Sequence, residues 1–406
     1  MTDSVWRARG IPRLVAGGLV SETADWMLLV ALPLFVFSIT GSAIVTSTVF
    51  VVQTVLTLVS APLAGVLIDR IDPWALMGGT AALQAVALLP LLAVRSADDL
   101  WVVYVVVVVQ SVLGSIIEPC RPTTAAGLVP TTQVAAANQL LGVGSSVARL
   151  AGAPLGGLVV GLGGVATLVC SAGALYFLAT ILLLRGPVAR SHPAAEAASR
   201  PHPLADVVDG FRAVIRSGTL TRLMIVAAIM SLAQGLFTIL FLLFVIRDLG
   251  GGDAEVGVLR GVQAVGALIA GLGLLRLVSR VSPSRLAAAS LLAFAGLSFA
   301  TWNGPAVTTE FGVYVVLFIL VGAPGLTVMT GLLTVVERST PQAYRGRVTS
   351  LLFASFTAFQ SVGMLIGGFV GSGPGLTVAL NLQAGLYLVA GLLAFGLRPR
   401  DAPDPV

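Results

Sequence analysis

Stretches of about twenty consecutive apolar residues recur along the chain, separated by polar connections. Each stretch can cross a hydrocarbon layer of roughly 30 Å as an α-helix rising about 1.5 Å per residue. The pattern predicts about twelve membrane-spanning segments: residues 14–37, 44–68, 74–94, 101–117, 138–160, 165–184, 221–246, 256–278, 286–300, 311–336, 348–370 and 376–397. Connections 38–43, 161–164 and 371–375 are too short to hold an extramembrane domain. The first segment carries Glu22 and Asp25 and lacks a small-residue cleavage site, so it reads as a retained helix. The longest connection, 185–220, divides the chain six plus six. Its first part, 186–203, is rich in Pro, Ala and Ser and is predicted to be disordered. In its second part Leu204, Val207, Val208, Phe211, Val214 and Ile215 recur at helical spacing opposite Asp206, Asp209, Arg212 and Arg216. That predicts an amphipathic helix on the inner membrane surface, stopped by Gly218. The expected molecule is an all-α membrane protein: an N-terminal six-helix bundle (1–184), a linker (185–220) and a C-terminal six-helix bundle (221–406).

Composition narrows the function. The chain is 57% hydrophobic and 10% charged, with a mean hydropathy of +0.99, against about 25% charged in an average soluble domain. All 23 basic residues are Arg. Without Lys there is no phosphate-cradling GxxxxGK[ST] loop and no Schiff-base chemistry. His192 and His202 lie in the linker, and Cys120 and Cys170 have neither metal-ligand spacing nor a reason to pair. No enzyme activity, metal or cofactor is expected. The net charge of +5 does not point to nucleic acid, because the Arg residues flank the membrane segments. Their distribution sets the orientation. With the N-terminus inside, the inner connections hold most of the arginines, including Arg70, Arg121 and Arg345, whereas the outer ones hold Arg95 and Arg247. Both termini are therefore expected in the cytoplasm, with the chain a monomer in a bacterial inner (cytoplasmic) membrane.

The halves repeat at an offset near 210. Asp69 to Leu76 falls against Ser279 to Leu286, Val52-Gln53-Thr54-Val55 against Val262-Gln263-Ala264-Val265, and Pro154-Leu155-Gly156-Gly157 against Leu365-Ile366-Gly367-Gly368. Three matches in order argue for duplication of a six-helix unit. Six is even, so the copies have the same orientation, as in transporter halves related by an axis along the membrane normal.

Gly65-Val66-Leu67-Ile68-Asp69-Arg70 resembles the signature between the second and third helices of the major facilitator superfamily, although the basic residues that follow it there are replaced by Ile71-Asp72-Pro73-Trp74. Ala24-Asp25-Trp26, Ala31-Leu32-Pro33-Leu34-Phe35-Val36, Thr40-Gly41-Ser42-Ala43, Pro119-Cys120-Arg121, Ala137-Asn138 and Arg345-Gly346-Arg347-Val348 resemble drug exporters of the macrolide-efflux and enterobactin-exporter type. Gly152-Ala153-Pro154-Leu155-Gly156-Gly157 is similar to a motif associated with antiporters, its proline one position late. The resemblance implies multidrug-type efflux by alternating access.

Ionisable residues at bilayer depth are costly and usually functional. Glu22 and Asp25, spaced i, i+3, share a face roughly 12–17 Å along the first segment. Two carboxylates in a low-dielectric site cannot both easily ionise, which suits proton coupling; either could instead make a static contact with a neighbouring helix. Arg149 lies near the middle of the fifth segment. The resemblance places segments 1 and 5 along the cavity, so an Asp25–Arg149 or Glu22–Arg149 pair is expected, as a switch or as a structural pair. The resemblance also gives Asp69 a contact near Arg345–Val348, making Asp69, Arg70, Arg121 and Arg345 gating residues. Glu118 is expected to pair with Arg121 at the surface. Trp26, Gln53, Gln234, Gln263 and Gln360 are candidate cavity residues, joined by Thr327 and Thr330; each could instead tie two helices. Phe237, Phe241, Phe356 and Phe359 form either an apolar wall or a lipid-facing surface. The Gly-rich segments 5 and 11 are suited to close packing and to sliding against the other half.

The expected function is a proton-coupled antiporter exporting a moderately hydrophobic drug, antibiotic or secondary metabolite, with lipid, protons and a small-molecule substrate as partners. The alternatives are a proton-coupled importer of a small metabolite and a non-transporting membrane receptor or enzyme.

Overall fold

The computed structural model describes residues 5–68, 70–184, 186, 211–212, 214–277, 281–373 and 375–397. Asp69, His192, His202 and most of the predicted linker lie outside the described residues; of the predicted amphipathic helix, 211–212 and 214–216 are described, and they are helical. All regular structure among the described residues is helical. The long helices are α1 (Ile11–Thr40), α2 (Ala43–Ile68), α3 (Pro73–Ala87), α4 (Leu100–Leu128), α5 (Val134–Leu183), α6 (Gly218–Leu243), α7 (Asp253–Leu277), α8 (Pro283–Asn303), α9 (Phe311–Ser339), α10 (Arg345–Gly371) and α11 (Leu376–Ala394).

Among the described residues, 11 helices are long and apolar enough to cross a membrane. One of them, α5, has 50 residues, about 75 Å at 1.5 Å per residue and more than twice a bilayer core. It breaks at Gly164, whose φ of 64° and ψ of −157° are not helical and are accessible to glycine because it lacks a Cβ. The two limbs are the predicted fifth and sixth segments, so the crossings number twelve, as expected from the apolar pattern.

The repeat is visible in how helices begin. Asp72 caps α3 by accepting from the Ala75 N–H at 2.9 Å, with Pro73 in the first turn. Ser282 caps α8 by accepting from the Arg285 N–H at 3.4 Å, again with proline following. A side-chain acceptor before a proline satisfies an orphan N–H where proline needs none. α4 departs from expectation: it continues past 117 through Pro119 and Pro122 to Leu128. Membrane helices tolerate proline because neighbours and local adjustments re-satisfy the freed backbone groups. The consequence is that Arg121 sits inside a helix rather than in a surface connection.

The chain divides into two compact units. The first is Met1–Glu196 with Gly251–Ala264, and the second is Ala197–Gly250 with Val265–Val406. In the first, Gly152 and Gly156 of α5 bring its backbone onto α1. A Cβ at either position would stand 2.5 Å from the carbonyl oxygen of Thr23 or Met27. Farther along, Gly157 faces Asp253 and Gly257 at the start of α7, a stretch that belongs to this unit. In the second unit, Gly235 of α6 and Gly363 of α10 meet in the same manner. Small residues permit such approach where water supplies no hydrophobic drive between helices.

Candidate functional site

The first unit encloses a cavity of about 360 Å³ between α1, α2, α4 and both limbs of α5. Its size falls within the range of small-molecule sites. Glu22, Asp25, Trp26, Gln53 and Arg121, all singled out from the sequence, line it together with Glu118 and Tyr176. The helical spacing of Glu22 and Asp25 turns both carboxylates toward it, but their partners differ.

Glu22 Oε1 forms an ion pair with Arg121 Nη2, whose side chain is 8% exposed. Ser145 Oγ donates to the same oxygen at 2.8 Å and receives Arg121 Nη2 at 3.3 Å. Gly18 makes room for the guanidinium, since a Cβ there would lie 3.0 Å from Nη1. A buried charge requires this kind of pairing. Glu22 Oε2 is buried without a hydrogen-bond partner among the described residues.

Asp25 has neutral partners. Tyr176, fully buried on the second limb of α5, donates its hydroxyl to Asp25 Oδ1 at 2.6 Å. Gln84 of α3 places Nε2 3.5 Å from both Asp25 Oδ1 and the Tyr176 hydroxyl. Gln84 is itself fixed to α4, where Gln110 Nε2 donates to its backbone carbonyl at 2.8 Å.

These partners correct three expectations. Arg149 pairs with neither helix-1 carboxylate: it donates to Gln263 Oε1 at 3.3 Å and lies over the Trp26 ring at 5.3 Å. Arg121 does not lie at the surface, and Glu118 does not hold it: Arg121 points inward to Glu22, and Glu118 is exposed. Arg70 and Arg345 are exposed, Arg345 donating to the Thr340 carbonyl at 3.1 Å.

The second unit has a smaller cavity of about 220 Å³ lined by Gln234, Gln360 and Phe356 with Met230, Phe294 and Tyr387. Tyr387 donates its hydroxyl to Gln234 Oε1 at 2.8 Å. Thr327 bonds Ser290 across to α8 at 2.6 Å, and Thr330 bonds back to the Leu326 carbonyl, so neither lines this cavity. Phe237 and Phe241 are neither wall nor lipid face; they are buried against Trp302 and Phe318. Phe359 is exposed. Sequence reasoning missed Gln84, Gln110, Ser145, Tyr176 and Tyr387. The one signal for the tyrosines was their spacing, close to the repeat offset.

Comparison with known proteins agrees with this architecture. The family model of the Major Facilitator Superfamily matches residues 14–246 and again 223–406. The chain is 23% identical over 403 residues to an uncharacterised MFS-type transporter, YfiS, of Bacillus subtilis (strain 168), spanning 95% of this chain and 92% of that one. Among solved structures it is similar to a bacterial homologue of the iron transporter ferroportin in an inward-facing state (TM-score 0.73, 16% identity, 96% of this chain and 98% of that one). It is also similar to a D-xylose-proton symporter (TM-score 0.73, 12% identity, 98% and 99%).

Proposed function

Because the chain belongs to the Major Facilitator Superfamily, we propose that it is a secondary transporter working as a proton-coupled antiporter, exporting a moderately hydrophobic small molecule by alternating access. The observation that carries the reading is the pair of carboxylates, Glu22 and Asp25, on one wall of a cavity at membrane depth. A carboxylate there is costly to keep charged, so it is suited to exchanging a proton for substrate. The exporter direction rests on the likeness of Gly152 to Gly157 and of the other quoted segments to drug exporters. The reading takes 1–184 and 221–406 as the two moving bundles, with both termini in the cytoplasm of a bacterium.

Binding follows from the cavity walls. Trp26 and the aliphatic residues of the first cavity supply apolar surface, and Gln53 and Thr57 supply neutral polar groups to a substrate. The decisive experiment is movement of a compound panel in inverted vesicles, with and without a protonophore. Uptake into inverted vesicles that stops when the gradient is collapsed supports export. Movement in the opposite sense identifies the importer, and ATP-driven movement in de-energised vesicles would overturn secondary transport altogether.

A further inference from the structure

The two units contain the same hydrogen-bonded pair built from different residues. In the first, Tyr176 donates to Asp25 at 2.6 Å; in the second, Tyr387 donates to Gln234 at 2.8 Å. Asp25 and Gln234 lie on α1 and α6, the first helix of each half. Tyr176 and Tyr387 lie on the last helical limb of each half, and both are buried. The separations match the repeat offset. A carboxylate in one copy and an amide one methylene longer in the other each accept the tyrosine's hydrogen bond. What differs is that the carboxylate can bind a proton and the amide cannot.

The other charged groups around Asp25 sharpen this contrast. From its own helix, Glu22 is held in the ion pair with Arg121 of α4 and by Ser145. Also from α4, Glu118 lines the cavity but is exposed. From α5, Arg149 is turned away onto Trp26 and Gln263. α2 and α3 contribute Gln53, Thr57 and Gln84, which are neutral. Asp25 therefore has donors but no cation within its hydrogen-bonding shell among the described residues. Protonating Glu22 would break a buried ion pair and leave Arg121 uncompensated. Protonating Asp25 removes a lone carboxylate charge and lets the tyrosine and the glutamine reorient.

We propose that Asp25 alone is the exchangeable proton site of this chain, with Tyr176 as its positioning residue, and that the Gln234–Tyr387 pair is the non-titrating copy of the same device. This rests on the proton-coupled reading of the cavity and narrows it to one of two carboxylates and to one proton per cycle. Glu22 is assigned a constant charge that holds Arg121.

The test does not need the substrate. The full chain is reconstituted in phosphatidylethanolamine–phosphatidylglycerol vesicles, and infrared difference spectra are recorded as the pH is lowered, following the carbonyl band of a neutral carboxyl group shielded from water. Wild type is expected to show one such band. Asp25→Asn should abolish it, and Glu22→Gln combined with Arg121→Gln, which removes both partners of the ion pair, should leave it. Tyr176→Phe removes the donor to Asp25 Oδ1, so the band should remain with its frequency raised by the loss of that hydrogen bond. The amide at position 234 shows that this geometry accepts an uncharged partner. Should Asp25→Asn nevertheless fail to fold, Gln234→Glu provides the second arm, since a carboxylate beside Tyr387 should add a second band. Persistence of the band in Asp25→Asn, its loss in Glu22→Gln with Arg121→Gln, an unmoved band frequency in Tyr176→Phe or a single band in Gln234→Glu would each overturn the proposal. The vesicle experiment with protonophore answers separately whether transport is proton-coupled at all.

Discussion

At the scale of single residues, Arg121 carries a stability test that does not depend on any transport assay. Replacing it with Gln leaves Glu22 buried beside Ser145 without its cation. Removing one partner of a buried pair costs about 3–5 kcal/mol, whereas replacing both by neutral groups costs far less. Arg121→Gln should therefore lower the thermal midpoint in detergent sharply, and Glu22→Gln with Arg121→Gln should recover most of the loss. Equal midpoints for the single and double variants would show that the pair is not coupled. The sequence showed the depth and shared face of Glu22 and Asp25, because helical spacing reports both. It did not show their partners, which depend on which helices are neighbours. It also ended the fourth segment before Pro119, and so it put Arg121 at the surface. Gln84, Ser145 and Tyr176 carry no charge, and an uncharged polar residue in a membrane helix has little to mark it out before its neighbours are known.

At the scale of helices, glycines of α5 and α10 make a graded series. A Cβ at Gly156 meets the Met27 carbonyl oxygen at 2.5 Å, one at Gly367 meets Ile239 Cβ at 3.3 Å, and one at Gly142 meets nothing within 4 Å. Backbone oxygen cannot move aside without moving α1. Gly156→Ala is therefore expected to cost about 1–3 kcal/mol through overpacking. Gly367→Ala should cost less, and Gly142→Ala should be neutral or stabilising by up to about 1 kcal/mol through helix propensity. Thermal unfolding of the three variants in one detergent checks the order, and a Gly156→Ala protein as stable as Gly142→Ala would contradict the α1–α5 contact. The repeat was legible here as Pro154 to Gly157 against Leu365 to Gly368. The helix that each glycine faces was not, because a small-residue pattern specifies close approach without naming the partner. Asp69, outside the described residues, belongs at this scale too, as a gating residue that the sequence resemblance implies. Asp69→Asn should slow transport while the folded protein stays in the membrane, and wild-type initial rates in the vesicle assay would remove it from the gate.

At the scale of the whole molecule, duplication has produced two units of the same architecture and different polarity. The apolar pattern showed the twelve crossings, because membrane solvation imposes those directly. The mid-membrane charges of the sequence also fall in the first half, with only amides and hydroxyls at such depth in the second. Glu22, Asp25, Glu118 and Arg121 line the cavity of the first unit, whereas Gln234, Gln360 and Ser231 are the polar lining of the second, among Met230, Phe294 and Phe356. Under the proposed function this separates the tasks: the first unit handles protons and polar groups, and the second takes uncharged, apolar parts of the substrate. Phe356→Ala and Gln360→Ala should then alter the apparent affinity across a compound panel, each by about fivefold to thirtyfold for a loss of 1–2 kcal/mol, without changing the number of protons moved per substrate. Asp25→Asn should abolish uphill movement while leaving the order of preference among compounds intact. The measurement is initial rate against substrate concentration in proteoliposomes, with proton flux followed in parallel. A changed proton-to-substrate ratio in Gln360→Ala, or a reordered preference in Asp25→Asn, would show that selectivity and coupling are not divided between the two copies.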